Sequence, residues 1–116
     1  MSELLQHLEY KAGHIFGDME QEARKLTLNR FRSNKIRLLV VTDVAARGID
    51  IPLLENVINY DFPGNPKLFI HRCGRTARAG ATGTAWSLLV NSETGYLHDL
   101  RNFIGRKLLS ERSLET

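Results

Sequence analysis

One cysteine, three prolines and one tryptophan occur in 116 residues, and the scarcities exclude whole classes of protein. A lone thiol, Cys73, rules out an internal disulfide and suits a reducing compartment. His71 and Cys73 stand two apart with no second pair near them, so no zinc-like spacing is present and no metal ligand is expected. No apolar run approaches the roughly 20 residues that a membrane span needs, and no signal peptide opens the chain. The expectation is one soluble intracellular domain with no membrane partner. Acids are also missing in two places, between Glu22 and Asp43 and between Asp61 and Glu93.

What is present is ordinary in bulk and uneven in distribution. The chain is 42% hydrophobic and 25% charged, enough for one core, with a net charge of +3. Residues 1–22 hold Glu3, Glu9, Asp18, Glu20 and Glu22 against Lys11 alone, whereas residues 23–42 hold Arg24, Lys25, Arg30, Arg32, Lys35 and Arg37 with no acid. That asymmetry implies a positive face suited to a nucleotide or nucleic acid, although solvated helix charges explain part of it. The densest cluster is His71-Arg72-Cys73-Gly74-Arg75-Thr76-Ala77-Arg78. Arginines repel one another, and gathering them this tightly suits a polyanion; Arg75 and Arg78, three apart, can face one phosphate. A solvated basic surface is the plainer alternative.

Taken in order, residues 3–10 predict a helix with Leu4, Leu5 and Leu8 on one face, and Lys11–Phe16 a strand ending at Gly17-Asp18. Met19–Ser33 predicts a helix packed through Ala23, Leu26 and Phe31, with acids early and bases late as the helix dipole favours. Arg37–Val41 is a near-continuous apolar strand. Val44–Ile51 is a loop or short helix stopped by Pro52. Asn56–Tyr60 is a strand, and Asn65-Pro66 caps and opens a helix running to about Gly74. Thr84–Val90 is a strand, and Ser92 caps a helix with Tyr96, Leu97, Leu100, Phe103 and Ile104 on one face. Residues 107–116 form a frayed tail. Phe31, Trp86 and Tyr96 are read as packing residues in preference to base-stacking platforms. Alternating strands and helices imply an α/β fold with a mostly parallel sheet, where ligands gather beyond the carboxyl ends of the strands. Thr42–Asp50 and His71–Arg78 both follow strands.

At these residues the chain resembles a known family. Thr42-Asp43-Val44-Ala45-Ala46-Arg47-Gly48-Ile49-Asp50-Ile51-Pro52 is similar to motif V of the DEAD-box RNA helicases, and His71–Arg78 is similar to their motif VI. Val57–Asp61 matches the linking strand between them, and Gln21-Glu22-Ala23-Arg24 the upstream Gln-x-x-Arg motif. The resemblance implies the second, carboxyl-terminal RecA-like domain, a three-layer sandwich, over residues 1–106 and incomplete at its N-terminus. Ala77 stands where the family often has Gly, and Cys73 where it often has an aliphatic residue; both changes are small, and intact geometry is expected. No Walker A loop or Asp-Glu-Ala-Asp box is present.

The resemblance also implies roles. Arg75 and Arg78 resemble arginine fingers for the γ-phosphate of ATP, and His71 the residue coupling motif VI to the acidic box, its alternative being a helix-end histidine. Asp50 resembles the acid that binds the ATP ribose, its alternative being a loop cap. Arg24, Thr42 and Gly48 resemble RNA-backbone contacts. Gln21, Asp43, Arg47 and Arg72 are supporting: Asp43 orients Arg24 or Arg47, while Arg47 and Arg72 tie the two motifs together. ATP is then the cofactor, with Mg²⁺ held mainly by a first domain, and the partners are RNA and that first RecA-like domain. Phe62–His71 and Phe103–Arg106 resemble the nucleolar subfamily of large-ribosomal-subunit assembly, implying pre-ribosomal proteins as partners and a nuclear or nucleolar location. The fragment alone is expected to be inactive. The alternative function is a non-catalytic RNA- or protein-binding module on the same fold.

Overall fold

The computed structural model describes residues 1–77, 80, 82–106 and 108–110, and the chain forms two compact units, Met1–Pro52 and Leu53–Thr116. The fold is α/β, and among the described residues both ladders are parallel, with one two-stranded sheet in each unit.

In the first unit, β1 (Ala12–Ile15) pairs with β2 (Leu38–Val41) in the register Ala12↔Leu38 to Ile15↔Val41. Because side chains alternate along a strand, Gly13, Ile15, Leu39 and Val41 share one face, and Ala12, His14, Leu38 and Val40 the other. Helix α2 (Gln21–Arg32) covers the first face. There Ile15, Leu28 and Ala45 are buried, with Leu39, Val41 and Ile49 packed against them. Gly13 permits the close approach, since a Cβ there would lie 2.7 Å from Ile36 Cδ1 and 3.2 Å from Thr27 Cγ2. Helix α1 (Ser2–His7) covers the second face: the buried Ser2 hydroxyl lies 2.7 Å from His14 Nδ1, and Gln6 Nε2 donates to the Ala12 carbonyl at 2.6 Å. Both faces of this ladder are therefore layered with helix.

Helix α1 stops before the expected end because Glu9 takes φ 67°. In that turn the Glu9 and Tyr10 amides return to the Gln6 and Leu5 carbonyls, closing the helix as a Schellman turn. Leu4 and Leu8, expected to pack, are exposed, and Ser2 is the buried residue instead. Asn34 closes α2 in the same manner at φ 60°, with the Asn34 amide on the Phe31 carbonyl and the Lys35 amide on that of Arg30. The packing face of α2 also differs from expectation, since Leu28 is buried while Ala23 and Leu26 face solvent.

In the second unit, β3 (Asn56–Asn59) pairs with β4 (Thr84–Ser87), and Ile58 stands opposite Trp86. The face bearing Val57, Asn59, Ala85 and Ser87 meets α4 (Pro66–Cys73), whose Arg72 bonds to Asn59. Helix α5 (Thr94–Ile104) packs on α4. The other face carries Ile58 and Trp86, 59% and 44% exposed. Trp86 spends its indole N–H on Asn56 Oδ1 at 3.2 Å. The packing role expected of Trp86 and Tyr96 is thus not met within this unit, because the helices cover one side only. On α5, Leu100 is buried and Leu97 and Ile104 half-buried, whereas Tyr96 and Phe103 are exposed. Spacings of three and four place Leu97, Leu100 and Ile104 on a narrower stripe than expected.

Two expected caps have different outcomes. Asn65 accepts from the Leu68 amide at 2.9 Å with Pro66 as the first helical residue, as the sequence predicts. Ser92 does not cap α5; it lies inside a 3₁₀ turn, Asn91–Glu93. Glu93 organises that start, its carboxylate accepting from the Val90 amide at 3.2 Å and the Phe62 amide at 3.1 Å. Strand β4 ends at Ser87, short of Val90. Lys107 and residues 111–116 of the expected tail lie outside the described residues.

Candidate functional site

The first group of candidate residues lies in the first unit, where β2 gives way to α3 (Asp43–Arg47). Thr42 caps this helix, its hydroxyl oxygen accepting from the Ala45 amide at 3.3 Å. A hydroxyl that accepts inward keeps its own proton for an outward bond, and Thr42 is exposed. Asp43 is the first helical residue and Arg47 the last, each at the end where the helix dipole favours its charge.

Arg24 projects from the first turns of α2. Its Nε donates to the Met19 carbonyl at 3.0 Å and its Nη2 to the Gly17 carbonyl. Main-chain carbonyls therefore hold Arg24 in place. Its Nη1 lies 3.7 Å from where a Cβ on Gly48 would stand. Arg24 and Gly48, 24 positions apart in sequence, are thus brought together. Gln21, at the start of α2, is exposed. Asp50 lies beyond, its side chain 91% exposed, and Arg32 reaches it from the last turn of α2. Arg32 Nη2 donates to the Asp50 main-chain carbonyl at 2.6 Å and lies 3.4 Å from Oδ2. As a loop cap Asp50 would turn its carboxylate inward; here the main chain is bound and the carboxylate faces solvent.

The second group lies in the second unit, along and after α4. His71 is exposed on the last turn of α4 and Arg72 follows it. Arg72 Nη1 donates to the Asp61 carbonyl at 2.7 Å and approaches Asn59 Oδ1 at 3.5 Å. These bonds tie α4 to the end of β3. Asn59, 2% exposed, also donates to Ser87 Oγ at 2.9 Å. Cys73 sits beside it. Burial pushes the Cys73 thiol above its ordinary pKa, opposed by a hydrogen bond with Asn59 and the charge of Arg72.

Beyond the helix, the chain is clipped to Leu54, just before β3. The Leu54 amide donates to the Arg75 carbonyl at 2.8 Å, and Thr76 Oγ1 donates to the Leu54 carbonyl at 2.6 Å. Gly83 completes the clip, since a Cβ there would fall onto Thr76 Oγ1. Arg75 is half-buried on this fixed segment. Ala77 follows at φ 55°, in the left-handed region. Cβ crowds the carbonyl there, and alanine carries a cost of roughly 1 kcal/mol that glycine avoids. Arg78 lies outside the described residues. Among the described residues no three His, Cys, Asp or Glu side chains converge as a metal site, and no helix is long and apolar enough to cross a membrane.

Sequence reasoning passed over Arg32, Asn59, Thr76, Gly83 and Glu93. Thr76 and Gly83 had a signal, one inside the arginine run and the other a glycine just beyond it. The rest depend on partners distant in sequence.

A parallel α/β scaffold with a polar turn after β2 and an arginine segment after α4 defines a class. Residues 1–80 match the family model of the helicase conserved C-terminal domain, and the chain belongs to that family, with the RecA-like fold of its DEAD-box members. It is 58% identical over 110 residues to the ATP-dependent RNA helicase dbp10 of Schizosaccharomyces pombe, covering 95% of this chain and 13% of that protein's length. A DEAD-box protein from the hyperthermophile Methanococcus jannaschii superposes with a TM-score of 0.82 at 40% identity, over 91% of this chain and 29% of the other. A Saccharomyces cerevisiae Dbp5 variant bound to RNA and ADP BeF3 gives 0.78 at 32% identity, over 89% and 28%.

Proposed function

We propose that this chain, with residues 1–106 as one domain and 107–116 as a tail, is the second RecA-like domain of an ATP-dependent RNA helicase. It acts with a first domain that cradles the ATP phosphates and Mg²⁺. The observation that carries the reading is Gly48. Its φ is −97° and a Cβ there would meet nothing closer than 3.7 Å, so its own fold does not demand glycine. A glycine unforced by its surroundings suits a surface that another backbone must approach closely. Beside it lies the carbonyl-held guanidinium of Arg24, and at the other end of α3 the outward proton of Thr42, both fit for phosphate oxygens. Such contacts carry no sequence information, so RNA binding is unspecific.

Asp50 presents an exposed carboxylate that accepts from the ribose hydroxyls of ATP. Arg75, held on the Leu54–Thr76 clip, and Arg78 stabilise the charge that develops on the transferring phosphoryl group. His71 faces the first domain. The resemblance of Phe62–His71 and Phe103–Arg106 to the nucleolar subfamily supports work on pre-ribosomal RNA in the nucleolus.

Gly48→Ala tests the reading. Its fold is expected to be unchanged, because the new methyl makes an ordinary contact with Arg24. In the full-length protein, affinity for unrelated single-stranded RNAs is expected to fall about tenfold for all alike, as for one lost backbone contact of ~1–1.5 kcal/mol. Unchanged affinity for every RNA overturns it.

A further inference from the structure

Both arginines that touch the polar turn come from one helix. Arg24 and Arg32 are eight residues apart on α2, or about 12 Å along its axis. The first lies over Gly48 and the second holds Asp50. Between these points Ile49 packs against the core of Ile15, Leu28 and Ala45. The Gly48–Asp50 turn is therefore fixed from beneath by Ile49 and at its Asp50 end by the Arg32 guanidinium.

The geometry at Arg32 is particular. Its 2.6 Å bond goes to the main-chain oxygen of Asp50, while the carboxylate, 3.4 Å from the same nitrogen, is at the outer limit of a hydrogen bond. An arginine placed to neutralise Asp50 would grip the carboxylate bidentately. This one grips the backbone and leaves the carboxylate 91% exposed. The charge pair itself is a surface contact and contributes little.

We infer that Arg32 is the positioning residue for Asp50: by holding the Asp50 carbonyl it aims the carboxylate at the sugar of the bound nucleotide and so sets the preference for a ribose that carries hydroxyls. The inference rests on the nucleotide reading of Asp50 given above. A hydrogen bond to a ligand is worth its full amount only when the acceptor is already in place, and small misplacements are expensive.

The test measures RNA-stimulated kcat/KM for ATP and for 2′,3′-dideoxy-ATP in the full-length protein, as wild type, Asp50→Ala, Arg32→Ala and Arg32→Lys. Asp50→Ala is expected to reduce the preference for ATP by roughly tenfold or more, the value of a hydrogen bond to a charged group. Arg32→Ala is expected to reduce it about three- to tenfold, and Arg32→Lys by less, because an ammonium still donates to the carbonyl. A merely structural arginine would lower turnover of both nucleotides equally and leave the ratio alone. If the ratio collapses in Asp50→Ala and stays at wild type in both Arg32 variants, the positioning role is overturned and the nucleotide reading stands. If Asp50→Ala leaves the ratio unchanged, the nucleotide reading falls and the positioning role falls with it.

Discussion

The two units keep their candidate residues in place by different physics. In Met1–Pro52 the β1–β2 ladder has helix on both faces, and burial is apolar: Ile15 and Ala45 are fully buried and Leu28 nearly so. Its ligand turn rides on that core through Ile49. In Leu53–Thr116 a helix packs against β3 while β4 stays exposed, and a fully buried side chain at the end of β3 is the amide of Asn59. There the arginine segment is held by directional polar bonds, Leu54 to Arg75 and Thr76 and Arg72 to Asp61. Apolar packing tolerates small movements in any direction, whereas hydrogen bonds lose strength steeply when bent. The clipped segment is thus suited to a group that must be aimed, and the core-borne turn to one that must persist.

The largest effect that can break this contrast is catalytic. If Arg75 is aimed at developing phosphate charge, Arg75→Lys in the full-length protein is expected to lower kcat by roughly 10³–10⁵, about 4–7 kcal/mol in the barrier. Lysine keeps the charge and loses the planar fork. Near-normal RNA-stimulated turnover in that variant would remove the functional half of the comparison. Second in size is the apolar core. Ile15→Ala is expected to cost about 2–5 kcal/mol in urea denaturation, with hydrogen-exchange protection lost in β1 and β2. A loss below about 1 kcal/mol would mean that the core does not hold the turn. The smallest effect sharpens the account of the clip. Ala77→Gly relieves the left-handed strain and is expected to raise stability by roughly 0.5–1 kcal/mol, the two states differing also in unfolded-chain entropy. A lowered melting temperature would show that the strain is not carried at position 77.

Much of this was open to inspection in the sequence because it is local. The Asn65-Pro66 helix start and the parallel α/β class follow from residues within four positions of one another or from periodicity. The placing of the arginine run after a strand and helix was equally clear. Glu9 and Asn34 show where local reasoning stops short, since each ends a helix in a left-handed conformation that glycine would have announced.

Other features were decided by tertiary structure alone. Nothing near Arg32 in sequence points to Asp50, 18 residues away, and nothing near Asn59 points to Ser87, 28 away. Trp86 and Leu28 have similar apolar character, yet one is left open and the other sealed, according to which face of which ladder a helix covers. Composition and spacing determined which elements form and which groups can meet a phosphate. Only the folded chain settled which carbonyls hold the arginines and which carboxylate faces solvent, because those bonds join partners that the backbone brings together from far apart.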